Sequence, residues 1–122
     1  MARAAVYLCI LAMLAEHGVH ATFFTLGWVA ERQPSVVRRI AEAGHEVASH
    51  GYGHHRASDL SRAAFASDIT RTKALLEDTT GQPVKGYRAP SFSIVPGLEW
   101  AFDVLLEEGY TYDSSVFPVS QH

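Results

Sequence analysis

A chain of 122 residues, 48% apolar and 19% charged, suffices for one small domain with a real core, and its composition is that of a folded protein. Its formal charge of −3, with ten lysines and arginines scattered singly or in pairs, offers no basic stripe for phosphates and argues against nucleic acid as a partner. Cys9 is the only cysteine, which excludes an intrachain disulfide and a cysteine-based zinc knot while leaving the redox compartment open.

Helix and strand alternate four times along the chain. The first helix is predicted over residues 4–16. One arginine ahead of an apolar run imitates a signal peptide, but no small-x-small cleavage site follows. Gly18 reads as a helix stop, so a buried amphipathic helix is expected there. Nothing reaches the ~18 apolar residues that span a bilayer. The cellular address stays open between cytoplasm and cell envelope.

Residues 19–26, β-branched and aromatic, form the first predicted strand. A helix over 34–43 carries Val36, Val37 and Ile40 at helical spacing, Gly44 ends it, and 45–49 is a short strand. The third helix has Ser61 as N-cap and Phe65, Ile69, Thr72 and Leu76 on one stripe, ending near Gly81. Residues 84–88 are the third strand. Pro96 sits near the start of a fourth helix with Trp100, Val104 and Leu105 on its apolar face. Gly109 stops it before a fourth strand over 110–114. Such alternation implies an α/β fold with parallel strands and outer helices, closed either as an open doubly wound sheet or as a barrel. A complete (β/α) barrel takes ~250 residues, so four units make about half of one.

Function in parallel α/β folds collects at the carboxyl ends of strands. Three polar clusters fall there: Ser49-His50-Gly51-Tyr52-Gly53-His54-His55, Arg88-Ala89-Pro90-Ser91-Phe92-Ser93 and Asp113-Ser114-Ser115. His50 and His54 suit a shared divalent ion, with Gly51 and Gly53 bending the loop between them; a solvated histidine-rich loop is the plainer alternative. Arg88 is either a surface arginine in a turn or a half-buried guanidinium orienting a carboxylate. Asp113 either caps a loop or holds an arginine or histidine. Tyr87, Phe92, Trp28 and Trp100 read as core by default.

Taken in order, these motifs, together with Tyr112-Asp113-Ser114-Ser115-Val116-Phe117-Pro118, resemble the polysaccharide deacetylase family (NodB homology domain, carbohydrate esterase family 4). His17-Gly18-Val19-His20-Ala21-Thr22-Phe23-Phe24 is similar to the family's second strand, and the details are closest to its exopolysaccharide-locus branch. The resemblance runs from about residue 8 to 119. It implies a distorted (β/α) barrel and metal-dependent removal of acetyl groups from N-acetylated polysaccharide, with a divalent metal, zinc foremost and cobalt or nickel as substitutes. Carried over by motif, His50 and His54 are the two histidine metal ligands. Arg88 orients the catalytic carboxylate, the Ser91 backbone N–H is an oxyanion donor, and Asp113 tunes the catalytic histidine. Tyr52, Pro90 and Phe92 are expected to shape or line the substrate site.

Two family motifs are missing. No Asp occurs before Asp59, so the Asp-Asp motif that supplies the general base and third protein ligand is absent, as is the late Leu-x-His motif with the general acid. His122 lacks that context. Residues 1–122 are therefore expected to be an incomplete, internal piece of such a domain, deficient in catalysis. A non-catalytic carbohydrate-binding or scaffold module on the same fold is the competing reading, and another metallohydrolase a weaker one.

Overall fold

The computed structural model describes residues 2–116; Phe117, Pro118 and His122 lie outside them. The elements are α1 (Ala2–Glu16), β1 (Thr22–Thr25), α2 (Gly27–Arg32), α3 (Pro34–Glu42), β2 (Glu46–Ser49), α4 (Arg62–Thr80), β3 (Gly86–Tyr87), α5 (Trp100–Glu107) and β4 (Tyr112–Asp113), with single 3-10 turns at Ala57–Asp59 and Pro90–Phe92. All strands are parallel, in the spatial order β1-β2-β3-β4. Every crossover thus steps one place in the same direction. A doubly wound sheet reverses direction at a switch point; this one does not, so its four strands follow the order of a (β/α) barrel.

Strand alternation gives the sheet two faces. Phe23, Val47 and Tyr87 pack against the helices, where Phe65 meets Tyr87 edge-on at 5.6 Å between ring centroids. The core is closed by Val37 and Ile40 of α3, Ile69 and Leu76 of α4, and Val104 and Leu105 of α5, as their spacing predicts. The opposite face carries a lower row, in which Glu46 accepts from the Thr22 and Tyr112 hydroxyls at 2.9 and 2.7 Å, and an upper row containing Phe24 and Arg88. Gly86 lies under the Tyr112 ring, where any side chain would overlap it.

Helix ends follow local chemistry. Ser61 Oγ accepts from the Ala64 N–H at 3.1 Å, and Gly81 closes α4 at φ 69°. Gly18 adopts φ 65°, while Val19 and Gly18 donate back to Leu14 and Ala15 in a Schellman arrangement. Residues 19 and 20 therefore belong to the helix exit, and the first strand is shorter than predicted. Similarly, the Tyr110 N–H closes α5 onto Leu105, and the Val84 N–H goes to Glu77, which trims the last two strands to two residues each. Gly97 at φ 97° turns the chain after Pro96, so α5 starts at Trp100. The short α2 escapes sequence reading because it interrupts what looks like a strand running into a loop.

The first helix corrects one expectation. Among its described side chains only Leu11 is buried, while Val6 (58%) and Met13 (60%) are largely exposed. The helix is apolar nearly all round, and α3 covers only one line of it. Trp28 also departs from its core assignment: it is 38% exposed, beneath the Arg32 guanidinium. No helix among the described residues is long and apolar enough to cross a membrane.

Candidate active site

His50 follows the last residue of β2, and its backbone N–H is bonded to the Thr25 carbonyl. Its Nδ1 lies 2.6 Å from the Arg88 carbonyl oxygen. A carbonyl only accepts, so Nδ1 carries the hydrogen and Nε2 keeps a lone pair for a ligand. Burial lowers the His50 pKa from the usual 6.5; the Arg88 carbonyl opposes the shift, and His54 and the Arg88 charge add to it. His54 sits in the left-handed region at φ 64°, and its ring centroid is 5.0 Å from that of His50. Both rings, with Arg88, Phe24 and Thr25, line a cavity of about 480 Å³.

Two helices hold the loop between the histidines. The Gly27 and Trp28 N–H groups at the start of α2 donate to the Gly51 and Tyr52 carbonyls, each at 3.0 Å. From α4, Asp68 Oδ1 accepts from the Tyr52 N–H at 3.1 Å. Further on, the Ala57 N–H donates to the buried Ser93 Oγ at 2.7 Å, joining this loop to the turn after β3.

Arg88 leaves the end of β3 with its guanidinium over Phe24 (4.4 Å to the centroid) and nearer Phe24 than Phe92 (5.3 Å). It donates to the Ser114 carbonyl from Nε at 3.0 Å and to Ser114 Oγ from Nη2 at 2.7 Å. Asp113 grips Ser115 instead, accepting from its N–H at 2.9 Å and from its hydroxyl. Ser115 Oγ in turn accepts from the Ala89 N–H at 2.7 Å. Asp113 thus caps its own loop and, through Ser115, fixes the turn that begins at Arg88. Burial raises the Asp113 pKa, against the Ser115 bonds and the Arg88 charge.

The 3-10 turn Pro90–Phe92 places Ser91 and Phe92 at φ 57° and 49°. Pro90 is buried, Ser91 is exposed, and Phe92 is 38% exposed. Tyr52 turns elsewhere: its ring lies 3.7 Å from the Arg71 guanidinium and its hydroxyl donates to Glu31, between α2 and α4. The structure therefore gathers His50, His54 and Arg88 with Phe92 at the edge, ties in Asp113 indirectly, and leaves Tyr52 on the outer side. Sequence reasoning passed over Phe24, Asp68 and the hydroxyl of Ser115. A carboxylate three residues after Phe65 and four before Thr72, on the apolar stripe of α4, was the available signal for Asp68.

Two imidazoles with one nitrogen oriented by a carbonyl fit two positions of a divalent-ion site. Among the described residues, no group of three or more His, Cys, Asp or Glu side chains is placed to complete one.

A parallel sheet wound one way, with its histidine pair and arginine at the carboxyl rim, defines a partial (β/α) barrel. The chain belongs to the polysaccharide deacetylase family, whose model matches residues 4–101. It is 37% identical over 93 residues to a peptidoglycan-N-acetylglucosamine deacetylase of Bacillus cereus, covering 75% of this chain and 34% of that one. A crystal structure of a putative polysaccharide deacetylase from Mycobacterium smegmatis aligns with TM-score 0.77 and 36% identity, over 88% of this chain and 36% of that one. A mutant of a CE4 family pseudoenzyme from Bacillus anthracis, described as having restored enzymatic activity, aligns with TM-score 0.83 and 25% identity, over 90% of this chain and 39% of that one. The chain spans about a third of the length of the Bacillus cereus relative.

Proposed function

We propose that this chain supplies the histidine-bearing part of a metal-dependent deacetylase that removes acetyl groups from N-acetylated polysaccharide. The observation that carries the reading is the His50 Nδ1 bond to the Arg88 carbonyl, which leaves Nε2 for a ligand beside His54. His50 and His54 would hold a divalent ion such as zinc, cobalt or nickel; when bound, such an ion acidifies water and polarises a carbonyl. Arg88, desolvated against Phe24 and held by Ser114, would present its charge to a carboxylate. The Ser91 backbone N–H would donate to the oxyanion, an interaction worth roughly 3–4 kcal/mol. Phe92 and Pro90 would shape the acetyl pocket's wall, and Asp113 would keep that turn in place through Ser115. The general base, third ligand and general acid are proposed to come from outside the described residues.

The non-catalytic alternative is favoured by one observation, the absence of a third ligand side chain beside the pair among the described residues. The exopolysaccharide branch is the narrower substrate proposal, while the Bacillus cereus relative's name points to peptidoglycan.

One experiment separates these readings. Purified chain is soaked in Zn²⁺ or Co²⁺, desalted and analysed for metal, alone and as His50→Ala; acetate release is then followed on acetylated chito-oligosaccharides and on peptidoglycan. Stoichiometric uptake lost in the variant and on acidification supports the metal site, because the ligands must be neutral. Glycan binding that ignores both metal and His50→Ala supports the alternative. Release at a rate typical of family enzymes would refute catalytic incompleteness.

A further inference from the structure

We propose that Asp68 of α4 is a positioning residue for the histidine-bearing loop, acting through the Tyr52 amide; this rests on reading His50 and His54 as ligands. Asp68 lies on the inward stripe of its helix, with Phe65 and Thr72 fully buried one turn to either side. A carboxylate in that setting is costly unless bonded. Its recorded bond goes to the N–H of Tyr52, midway between His50 and His54.

The packing is close as well as polar. Gly51, at φ 76°, approaches so near that a Cβ there would lie 2.9 Å from Asp68 Oδ2. The α2 amides restrain the Gly51 and Tyr52 carbonyls, and Asp68 restrains the Tyr52 N–H. The loop is therefore held by both donors and acceptors from two separate helices. That restraint has something to oppose: His54 is held in the left-handed region, which a non-glycine residue adopts only against a steric penalty. A loop freed at Tyr52 would let His54 relax and carry its ring away from His50. Convergence of two rings from one short loop thus depends on a carboxylate distant in sequence.

The test compares Asp68→Ala and Asp68→Asn with the unmodified chain, reading Co²⁺ affinity and amide hydrogen exchange. In Asp68→Ala the Tyr52 amide exchanges at least about ten-fold faster, and Co²⁺ binds about 10–100-fold more weakly, as for loss of an outer-shell partner. Asp68→Asn, which keeps an oxygen acceptor, restores both toward the original values. The Ile69 and Leu76 amides of α4 stay protected in each. The proposal is overturned if Asp68→Ala leaves Tyr52 protection and Co²⁺ affinity unchanged. It is equally overturned if α4 loses protection along with Tyr52, since Asp68 then serves the fold alone. If the unmodified chain takes up no Co²⁺ yet the Tyr52 amide responds, the metal reading falls and the positioning of the loop stands. If the chain binds Co²⁺ and Asp68→Ala binds it as tightly, the positioning falls and the metal reading stands.

Discussion

At the scale of single residues, the rim is governed by short polar side chains more than by charged ones. Ser115 is fully buried and links the Asp113 carboxylate to the Ala89 N–H. Ser115→Ala leaves the buried Ala89 N–H unpaired, at about 1–3 kcal/mol, while Asp113 keeps its bond from the Ser115 N–H. Urea denaturation of the variant is expected to show a lower midpoint with an unchanged m-value. Gly86 gives a sharper case. Gly86→Ala collides with the Tyr112 ring and destabilises, whereas adding Tyr112→Ala removes the obstacle, so the double mutant is more stable than the two single losses sum to. Additive losses in the cycle would sink that account. That the histidines and the arginine share one rim was legible because the carboxyl ends of parallel strands lie on the same side of the sheet. Ser115 and Asp68 were less so, because their roles depend on partners 26 and 16 residues away that no local pattern reveals.

Among the elements, α4 is the spine. Its stripe of Phe65, Ile69, Thr72 and Leu76 was readable because an unbroken 3.6-residue period needs no tertiary information. The cap at Ser61 and the stop at Gly81 were readable for the same reason. The last two strands were not bounded correctly, since helix-exit bonds and Glu77 consume backbone donors that a strand pattern assigns to the sheet. Glu77 Oε2 accepts from Lys73 Nζ and from the Val84 N–H, both at 2.8 Å, and so anchors the chain entering β3 to α4. Burial on its own would raise the Glu77 pKa, but these two bonds and the Lys73 charge outweigh it and hold the pKa below 4.5. A lowered carboxylate pKa stabilises the fold fully above the unfolded value and progressively less as pH falls through the folded one. Glu77→Gln is therefore expected to cost about 1–2 kcal/mol at pH 7 and to flatten the acid limb of the stability profile below pH 4.5. Thermal melts of both proteins from pH 3 to 7 measure this directly; parallel profiles would contradict it.

For the molecule as a whole, the one-way strand order decided between two closures that alternation of helix and strand left equal. It also sets the surfaces this chain presents. Glu46 and Tyr112 lie on the sheet face turned away from the helices, and Tyr112 is 38% exposed. On the helical side, Val6, Leu8, Ile10 and Met13 of α1 are each more than a third exposed, which groups large apolar side chains on one short helix. Scattered apolar residues are ordinary on a surface, but Val6, Ile10 and Met13, spaced four and three apart on one side of α1, form a group that favours association. The chain is accordingly expected to self-associate as its concentration rises, eluting ahead of a 13.4 kDa monomer in size-exclusion chromatography. Ile10→Lys and Met13→Glu alter only exposed positions of α1 and should shift elution toward the monomer without lowering the melting temperature, since Leu11 and Tyr7 keep the contact with the core. A second lever, at the rim, acts on folding rather than on association. An ion held by His50 and His54 stabilises only the folded chain, by about 2.7 kcal/mol at a hundred times its dissociation constant. Zn²⁺ should therefore raise the melting temperature, and EDTA should reverse the gain. His50→Ala should abolish the response to Zn²⁺ while leaving the concentration dependence of elution intact. Ile10→Lys leaves both imidazoles in place, so the double variant Ile10→Lys/His50→Ala is expected to show both losses independently. Coupling between them would mean that the change on α1 reaches the histidine cavity, which Tyr7 of that helix also lines.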